Sequence, residues 1–334
     1  MSDNTTEPGP GPEKNSELRT AVAGGKKRRR NILIGVGAAI VALLVAGGVV
    51  IAVNSGNNSA AASGPDATAK TLHVKIATSE DSDFQDEIKT VAAEKGLDVE
   101  WVNLDDWVLP NTELVAGNVD ANAFQHILYL SAFNAQNKAD ITPVFSTVIT
   151  QWGVFSSTLK SLDKLPDGAH IAIPDDPSNA GRALFILQAA KLITLKDGVG
   201  DFPTTDDVVG NPKNIQFVEI AAKTIPQQFN DPSLSAVVVG TSYFDPSQGI
   251  TKDDALFLDD SLADESLPYV NVIATRKDDV DNPAWKILKK AYADPRVADA
   301  LEKESFGSTV LVDVPVDKLR SKLADLEKVA QATK

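Results

Sequence analysis

One stretch of this chain constrains everything else. Residues Ile32 to Val53 form an apolar run without a single charge, and Lys26-Lys27-Arg28-Arg29-Arg30 stands directly before it. A run of about 20 apolar residues is long enough to cross a bilayer. The basic cluster on its near side predicts a cytoplasmic N-terminus and an extracytoplasmic bulk. The run is longer than the core of a typical signal peptide, which favours a retained anchor, although Ala60-Ala61-Ala62-Ser63 offers small residues where a peptidase could cut. Residues 1–31 read as a polar, basic tail in the cytoplasm and 32–53 as the anchor or signal. Residues 54–70, rich in Ser, Ala, Gly and Asn, read as a flexible linker.

The charge changes sign across the run. Residues 1–58 carry a net +3, so the remainder carries −17 of a chain whose total is −14. That acidity argues against a nucleic-acid partner, which would need a basic patch. The absence of cysteine excludes disulfide frameworks, thiolate metal sites, cysteine nucleophiles and a lipid-modified cysteine within these 334 residues. Three scattered histidines, His73, His126 and His170, do not suggest a metal centre, and no cofactor is expected. No nucleophile elbow, phosphate loop, dinucleotide loop or zinc helix motif is present. Acidic pairs such as Asp105-Asp106, Asp175-Asp176 and Asp259-Asp260 read as solvated surface.

Beyond residue 70, strand and helix signals alternate. β-prone runs at 72–77, 99–104, 120–124, 170–173, 215–220, 236–239, 255–258 and 269–275 are separated by helical patterns at 79–95, 111–116, 126–136, 178–192, 284–305 and 316–332. Such alternation predicts an α/β fold with largely parallel sheets covered by helices. About 260 residues exceed one doubly wound unit. The β-prone stretch 141–155 is too long for a single strand and reads, with 269–275, as a crossing between two lobes. Residues 71–149 and 268–334 are expected to form lobe I and residues 150–267 lobe II, with a ligand in the cleft between them.

Two segments offer ligand chemistry. In Pro174-Asp-Asp-Pro-Ser-Asn-Ala-Gly-Arg182 a strand ends and a helix begins. The helix start, the Arg182 fork and the small Gly181 suit a carboxylate. The plain alternative is an N-cap at Ser178 or Asn179, with Arg182 in a surface ion pair. In Asp120-Ala-Asn-Ala-Phe-Gln-His126, followed by Tyr129, the residues Phe124, His126 and Tyr129 could wall an apolar pocket, with Asn122 or Gln125 adding hydrogen bonds. Trp107 and Trp152 read equally as ligand wall or ordinary core.

These same blocks, with Ser161-Leu-Asp-Lys-Leu-Pro-Asp-Gly168, Leu195-Lys-Asp-Gly198, Asn211-Pro-Lys-Asn214, Asp253-Asp-Ala-Leu-Phe257 and Pro268-Tyr-Val-Asn-Val-Ile-Ala274, resemble the NlpA/MetQ family of methionine-importer binding proteins from about Thr71 onward. The resemblance implies a two-lobed, type II-like periplasmic-binding-protein fold, here with an N-terminal transmembrane helix. It implies a monomeric, non-enzymatic receptor that captures methionine and delivers it to an ABC permease with a cytoplasmic ATPase. It casts Arg182 as the carboxylate clamp, Asn179 as its polar partner, Phe124, His126 and Tyr129 as the side-chain pocket, and Trp107 and Asn111 as neighbours in the matching loop. Two blocks depart from the family pattern. Gly240-Thr-Ser-Tyr243 stands where Asn-Gly-Asn-Tyr is usual, so Thr241 or Ser242 would have to supply the missing contact. Gln151-Trp-Gly-Val-Phe155 replaces a Pro-containing, Tyr-ended segment. These departures leave room for a different amino acid or a short methionine-containing peptide. An extracytoplasmic enzyme acting on a small carboxylate would have only His126 as an acid–base candidate.

Overall fold

The computed structural model describes residues 16–22 and 71–332. The expected membrane segment 32–53 and linker 54–70 lie outside the described residues. Among the described residues no helix is long and apolar enough to cross a membrane.

From residue 71 the chain alternates as the sequence patterns predict. It opens with β1 (Leu72–Thr78), α1 (Asp83–Glu94), β2 (Leu97–Asn103), α2 (Leu109–Ala116), β3 (Ala121–Asn122), α3 (Ile127–Asn137) and β4 (Ile141–Ser146). The caps follow from local chemistry. The Ser82 hydroxyl accepts from the Gln85 N–H at the start of α1. Gly117, at φ 80, ends α2 in the left-handed conformation that glycine adopts without strain. The stretch predicted as one long β run is three strands: β4, then β5 (Val148–Thr150) and β6 (Trp152–Phe155).

Then come β7 (His170–Pro174), α4 (Pro177–Ala189), β8 (Thr194–Leu195), β9 (Val208–Gly210), β10 (Gln216–Ile220), β11 (Ala236–Gly240) and β12 (Phe257–Leu258). The chain closes with β13 (Val272–Arg276), α5 (Ala284–Tyr292), α6 (Pro295–Ser305), β14 (Thr309–Leu311) and α7 (Val316–Ala332). The helical pattern over 284–305, which Pro295 is expected to interrupt, is two helices: Asp294 caps a fresh start at Pro295, the first-turn position a proline tolerates.

Two five-stranded sheets result, ordered β2-β1-β3-β13-β4 and β10-β7-β11-β6-β12, beside the two-stranded pairs β5–β14 and β8–β9. The pairs β1–β2, β1–β3, β7–β10 and β7–β11 are parallel, while β13 and β6 run antiparallel to their neighbours. The segment from β4 to β6 passes from one sheet to the other, and β5 pairs with β14 between them. Each sheet is covered on both faces. Ile88, Val91, Trp285, Leu288 and Val297 pack on one side of the first sheet, and Leu114, Leu130, Phe133, Leu319 and Leu323 on the other. In the second, Leu184, Leu187 and Ile193 lie on one face and Phe155, Ile225 and Phe244 on the opposite one. Burial on both faces is why these strands read as nearly continuous apolar runs.

Part of the expected N-terminal tail is described. Residues 16–22 lie against the segment 260–267 and the start of α7. Leu18 is 2% exposed and joins the core with Leu267, Val314 and Leu319. The Glu17 N–H donates to Asp264 Oδ1 at 2.9 Å, the Ser16 hydroxyl donates to the Leu262 carbonyl, and Arg19 and Lys318 pair with Asp260 and Glu17. One buried leucine and these polar ties seat the segment. In that arrangement residues 16–22 lie on the same side as the lobes, whereas the sequence reading places them in a cytoplasmic tail; the rest of that tail and the expected crossing lie outside the described residues.

Candidate functional site

The cleft between the two sheets is lined by Trp107, Phe124, Gln125, His126, Tyr129 and Asn271 from one lobe and by Trp152, Asn179, Arg182 and Tyr243 from the other. Thr150 and Tyr269, on the segments that join them, complete it. The remaining cavity is about 30 Å³, room for two or three waters at the roughly 10–15 Å³ each requires. An amino-acid ligand therefore needs the lobes to part.

The α4 start differs in detail from its sequence reading. The N-cap is Asp176, not Ser178 or Asn179, and its carboxylate accepts from the Asn179 N–H at 3.0 Å and the Ser178 hydroxyl at 2.6 Å. The helix end thus carries its own anion, and the expected anion site there is already filled. A Cβ on Gly181 would lie 2.9 Å from Pro203 Cδ, so this glycine makes room for the neighbouring loop and not for a ligand.

Arg182, one and a half turns in, is 2% exposed. Its guanidinium lies between two rings, 4.8 Å from the Trp152 centroid and 4.3 Å from that of Tyr269. Nη2 donates to Asp259 Oδ2 at 2.6 Å and to the Thr150 carbonyl at 2.9 Å, and Nε donates to the same carboxylate at 3.3 Å. Its ion pair is buried, contrary to the plain surface reading. Asp259, read from sequence as solvated surface, is the arginine's counter-ion. That carboxylate also accepts from the Trp152 N–H at 2.9 Å, which fixes it to β6. The fork edge expected to grip a ligand carboxylate is therefore occupied, while Nη1 makes no hydrogen bond among the described residues.

His126 is the N-cap of α3. Its Nδ1 accepts from the Tyr129 N–H at 3.1 Å, so that nitrogen carries no proton. Nε2 then donates to Asn179 Oδ1 at 3.0 Å across the cleft, and Asn179 Nδ2 donates to Asp176 at 2.9 Å. Burial pushes the imidazole pKa down to about 4, with the Arg182 charge adding to the effect and the hydrogen bond that Nε2 donates to Asn179 opposing it. Tyr129 donates to the Trp107 carbonyl at 3.0 Å and meets Phe124 and Trp107 edge-on. Burial pushes the phenols of Tyr129 and Tyr243 well above their usual range and that of Tyr269 to about 12, so all three stay neutral donors.

Seven of the nine expected residues thus line the cleft: Trp107, Phe124, His126, Tyr129, Trp152, Asn179 and Arg182. Asn122 and Ser242 do not. Asn122 is fully buried beneath the pocket, where its amide donates to Asn111 Oδ1 at 2.8 Å and Gln125 Nε2 donates to both residues. This closed trio of amides holds the β3–α3 turn, and orphaning any one group would cost about 1–3 kcal/mol. Ser242 is exposed, because the tight turn Thr241–Tyr243 sends Tyr243 into the cleft instead. Thr241 donates to the Gln151 carbonyl and is likewise unavailable. Tyr243, Tyr269, Asn271 and Asp259 were not singled out from sequence. Tyr269 and Asn271 stand inside the block Pro268–Ala274 that carried the family resemblance, which was the available signal, whereas Tyr243 stands in a block that departs from it.

Two α/β lobes around a cleft with an arginine-and-aromatic lining define the fold of a substrate-binding protein. The chain belongs to the NlpA lipoprotein family, whose model matches residues 72–312. It is similar to the D-methionine-binding lipoprotein MetQ of Salmonella typhimurium, 39% identical over 241 residues that make up 71% of this chain and 88% of that one. Among solved structures it resembles a nutrient-binding protein from Burkholderia cenocepacia bound to methionine, with 37% identity and TM-score 0.66 over 71% of this chain and 99% of that one. It also resembles protein PG110 of Staphylococcus aureus, with 30% identity and TM-score 0.71 over 76% and 99%.

Proposed function

We propose that this chain is the receptor of an ABC importer for methionine, holding the amino acid in the cleft and presenting it to the permease and its ATPase. The observation that carries the reading is Arg182. A nearly fully buried guanidinium, set against the Trp152 and Tyr269 rings, lines an aromatic cavity, and its Nη1 makes no hydrogen bond among the described residues. A ligand carboxylate meets Nη1. Its side chain lies among Phe124, His126 and Tyr129, and Trp107, Trp152 and Asn179 close the walls. Closure follows from the ligand's greater affinity for the closed arrangement, where both lobes touch it.

The enzyme alternative finds no support in the site. His126 has both ring nitrogens engaged and a lowered pKa, so it is not a poised base. A second ligand, another amino acid or a short methionine-containing peptide, is favoured by one observation: Gly240 supplies no side chain where the family usually has an asparagine.

The receptor acts as an extracytoplasmic monomer held at the membrane through residues 32–53, in place of a lipid-modified cysteine. No orientation with a cytoplasmic residue 16–22 is proposed, given the seating of that segment. Full-length protein should fractionate with membranes and require detergent for release. Calorimetric titration of the released protein should then show L- or D-methionine binding with one site. Recovery in the soluble fraction would contradict the attachment, and absence of heat with both enantiomers would contradict the ligand.

A further inference from the structure

Gly240 ends β11 at φ −65 and ψ 134, a backbone conformation open to any residue. Its reason for being glycine is therefore space and not conformation. A Cβ there would lie 2.8 Å from Trp152 Nε1, 3.2 Å from Trp152 Cε2 and 3.1 Å from Tyr243 Cε2. The first distance is closer than packed atoms approach, and the contact is to a rigid indole rather than to the end of a flexible chain. That indole is itself held. It is 2% exposed, stacks on the Arg182 guanidinium, meets the Tyr243 ring edge-on at 5.8 Å, and has its backbone bonded to Asp259.

The indole nitrogen has a second property. It makes no hydrogen bond among the described residues, and none of their fully occluded side-chain nitrogens or oxygens lacks a partner. It therefore keeps access to the cleft that Trp152 lines.

We propose that Trp152 and Gly240 form one specificity element, in which the missing side chain at 240 admits the indole and the indole N–H becomes the donor that this wall offers to the ligand. The proposal rests on the reading of the cleft as the ligand site. An indole N–H donates and cannot accept. This part of the wall thus selects an oxygen acceptor on the ligand, a carboxylate or carbonyl, in a place where an amide side chain could serve either role. The ring also takes the volume that a residue at 240 would occupy, so the two positions cannot be changed independently.

The test is calorimetric titration of full-length variants with L- and D-methionine, paired with thermal melts. Gly240→Ala should weaken binding about ten- to a hundredfold by displacing the indole. Trp152→Phe keeps the ring and loses the donor, and should weaken binding about three- to tenfold. Gly240→Ala made in a Trp152→Leu background should add almost no further loss. Parent-like affinity in both single variants would overturn the proposal. If the parent binds neither enantiomer, the ligand reading fails and the melts decide the pair alone. Gly240→Ala should then lower Tm by about 2–4 °C or more in the parent and leave the Trp152→Leu protein unchanged. Equal losses in both backgrounds would overturn it.

Discussion

Arg182→Ala should lose both ligand binding and stability, and the two losses should separate in a companion variant. The guanidinium and the Asp259 carboxylate are a buried pair, 3% and 15% exposed at the side chain. Removing one partner leaves the other charge desolvated, which costs about 3–5 kcal/mol of folding stability. Losing a buried charge contact to a carboxylate ligand costs about 2–5 kcal/mol in binding. Asp259→Asn should also destabilise, because it uncovers the arginine's charge. It should nevertheless keep or raise affinity, since the guanidinium's charge is then no longer offset by the Asp259 carboxylate when a ligand carboxylate arrives. Urea denaturation and calorimetry on both variants check this. Equal destabilisation with parent-like affinity in each would reduce Arg182 to a structural residue.

The second large effect is one of pH. His126 titrates near 4 in the folded protein, against about 6.5 for an unconstrained histidine. Between those values the unfolded chain binds a proton that the folded site refuses. The contribution is therefore fully present above about pH 6.5, falls as pH drops toward 4, and levels off below that. The depressed pKa corresponds to about 3 kcal/mol across this window. Protonation would also place a hydrogen on Nδ1, which now accepts from the Tyr129 N–H, and so remove the cap of α3. Because closure buries the ring and sets it near the Arg182 charge of the other lobe, effects that together outweigh the Nε2–Asn179 bond, the same titration should oppose closure, and ligand affinity should weaken over the same range. Carboxylates titrate nearby, so the informative quantity is the difference between the parent and His126→Gln. Parent stability should fall by about 3 kcal/mol more than the variant's between pH 7 and pH 4. Parallel curves would show that His126 is not the group responsible.

These two residues also show what the amino-acid order makes legible. The blocks around Pro174–Arg182 and Asp120–Tyr129 could be placed at strand-to-helix junctions because proline, asparagine and aspartate punctuate them, and junctions of that kind face the cleft in this α/β fold. Pairings distant in sequence left no such mark. Asp259 is 77 residues from Arg182 and sits in an acidic doublet like several others, so nothing local distinguishes a buried counter-ion from solvated surface. The pairing of β5 with β14 joins segments about 160 residues apart, and neither three-residue strand carries a period of its own. Short turns defeated residue-level placement as well. Over Thr241–Tyr243 the backbone turns tightly, so the neighbour of the expected residue, Tyr243, faces the ligand space while Ser242 faces solvent. Likewise Asn122 is drawn beneath the pocket by Asn111 and Gln125, where the amides satisfy one another in the absence of water.

The central claim is that the inter-lobe cleft takes an amino acid by its carboxylate at Arg182. A crystal structure of the protein grown with methionine tests it most directly. The account predicts a ligand carboxylate within hydrogen-bond distance of Arg182 Nη1, a thioether among Phe124, His126 and Tyr129, and an oxygen facing the Trp152 indole N–H. A ligand bound with its carboxylate away from Arg182, or seated outside this cleft, would contradict it.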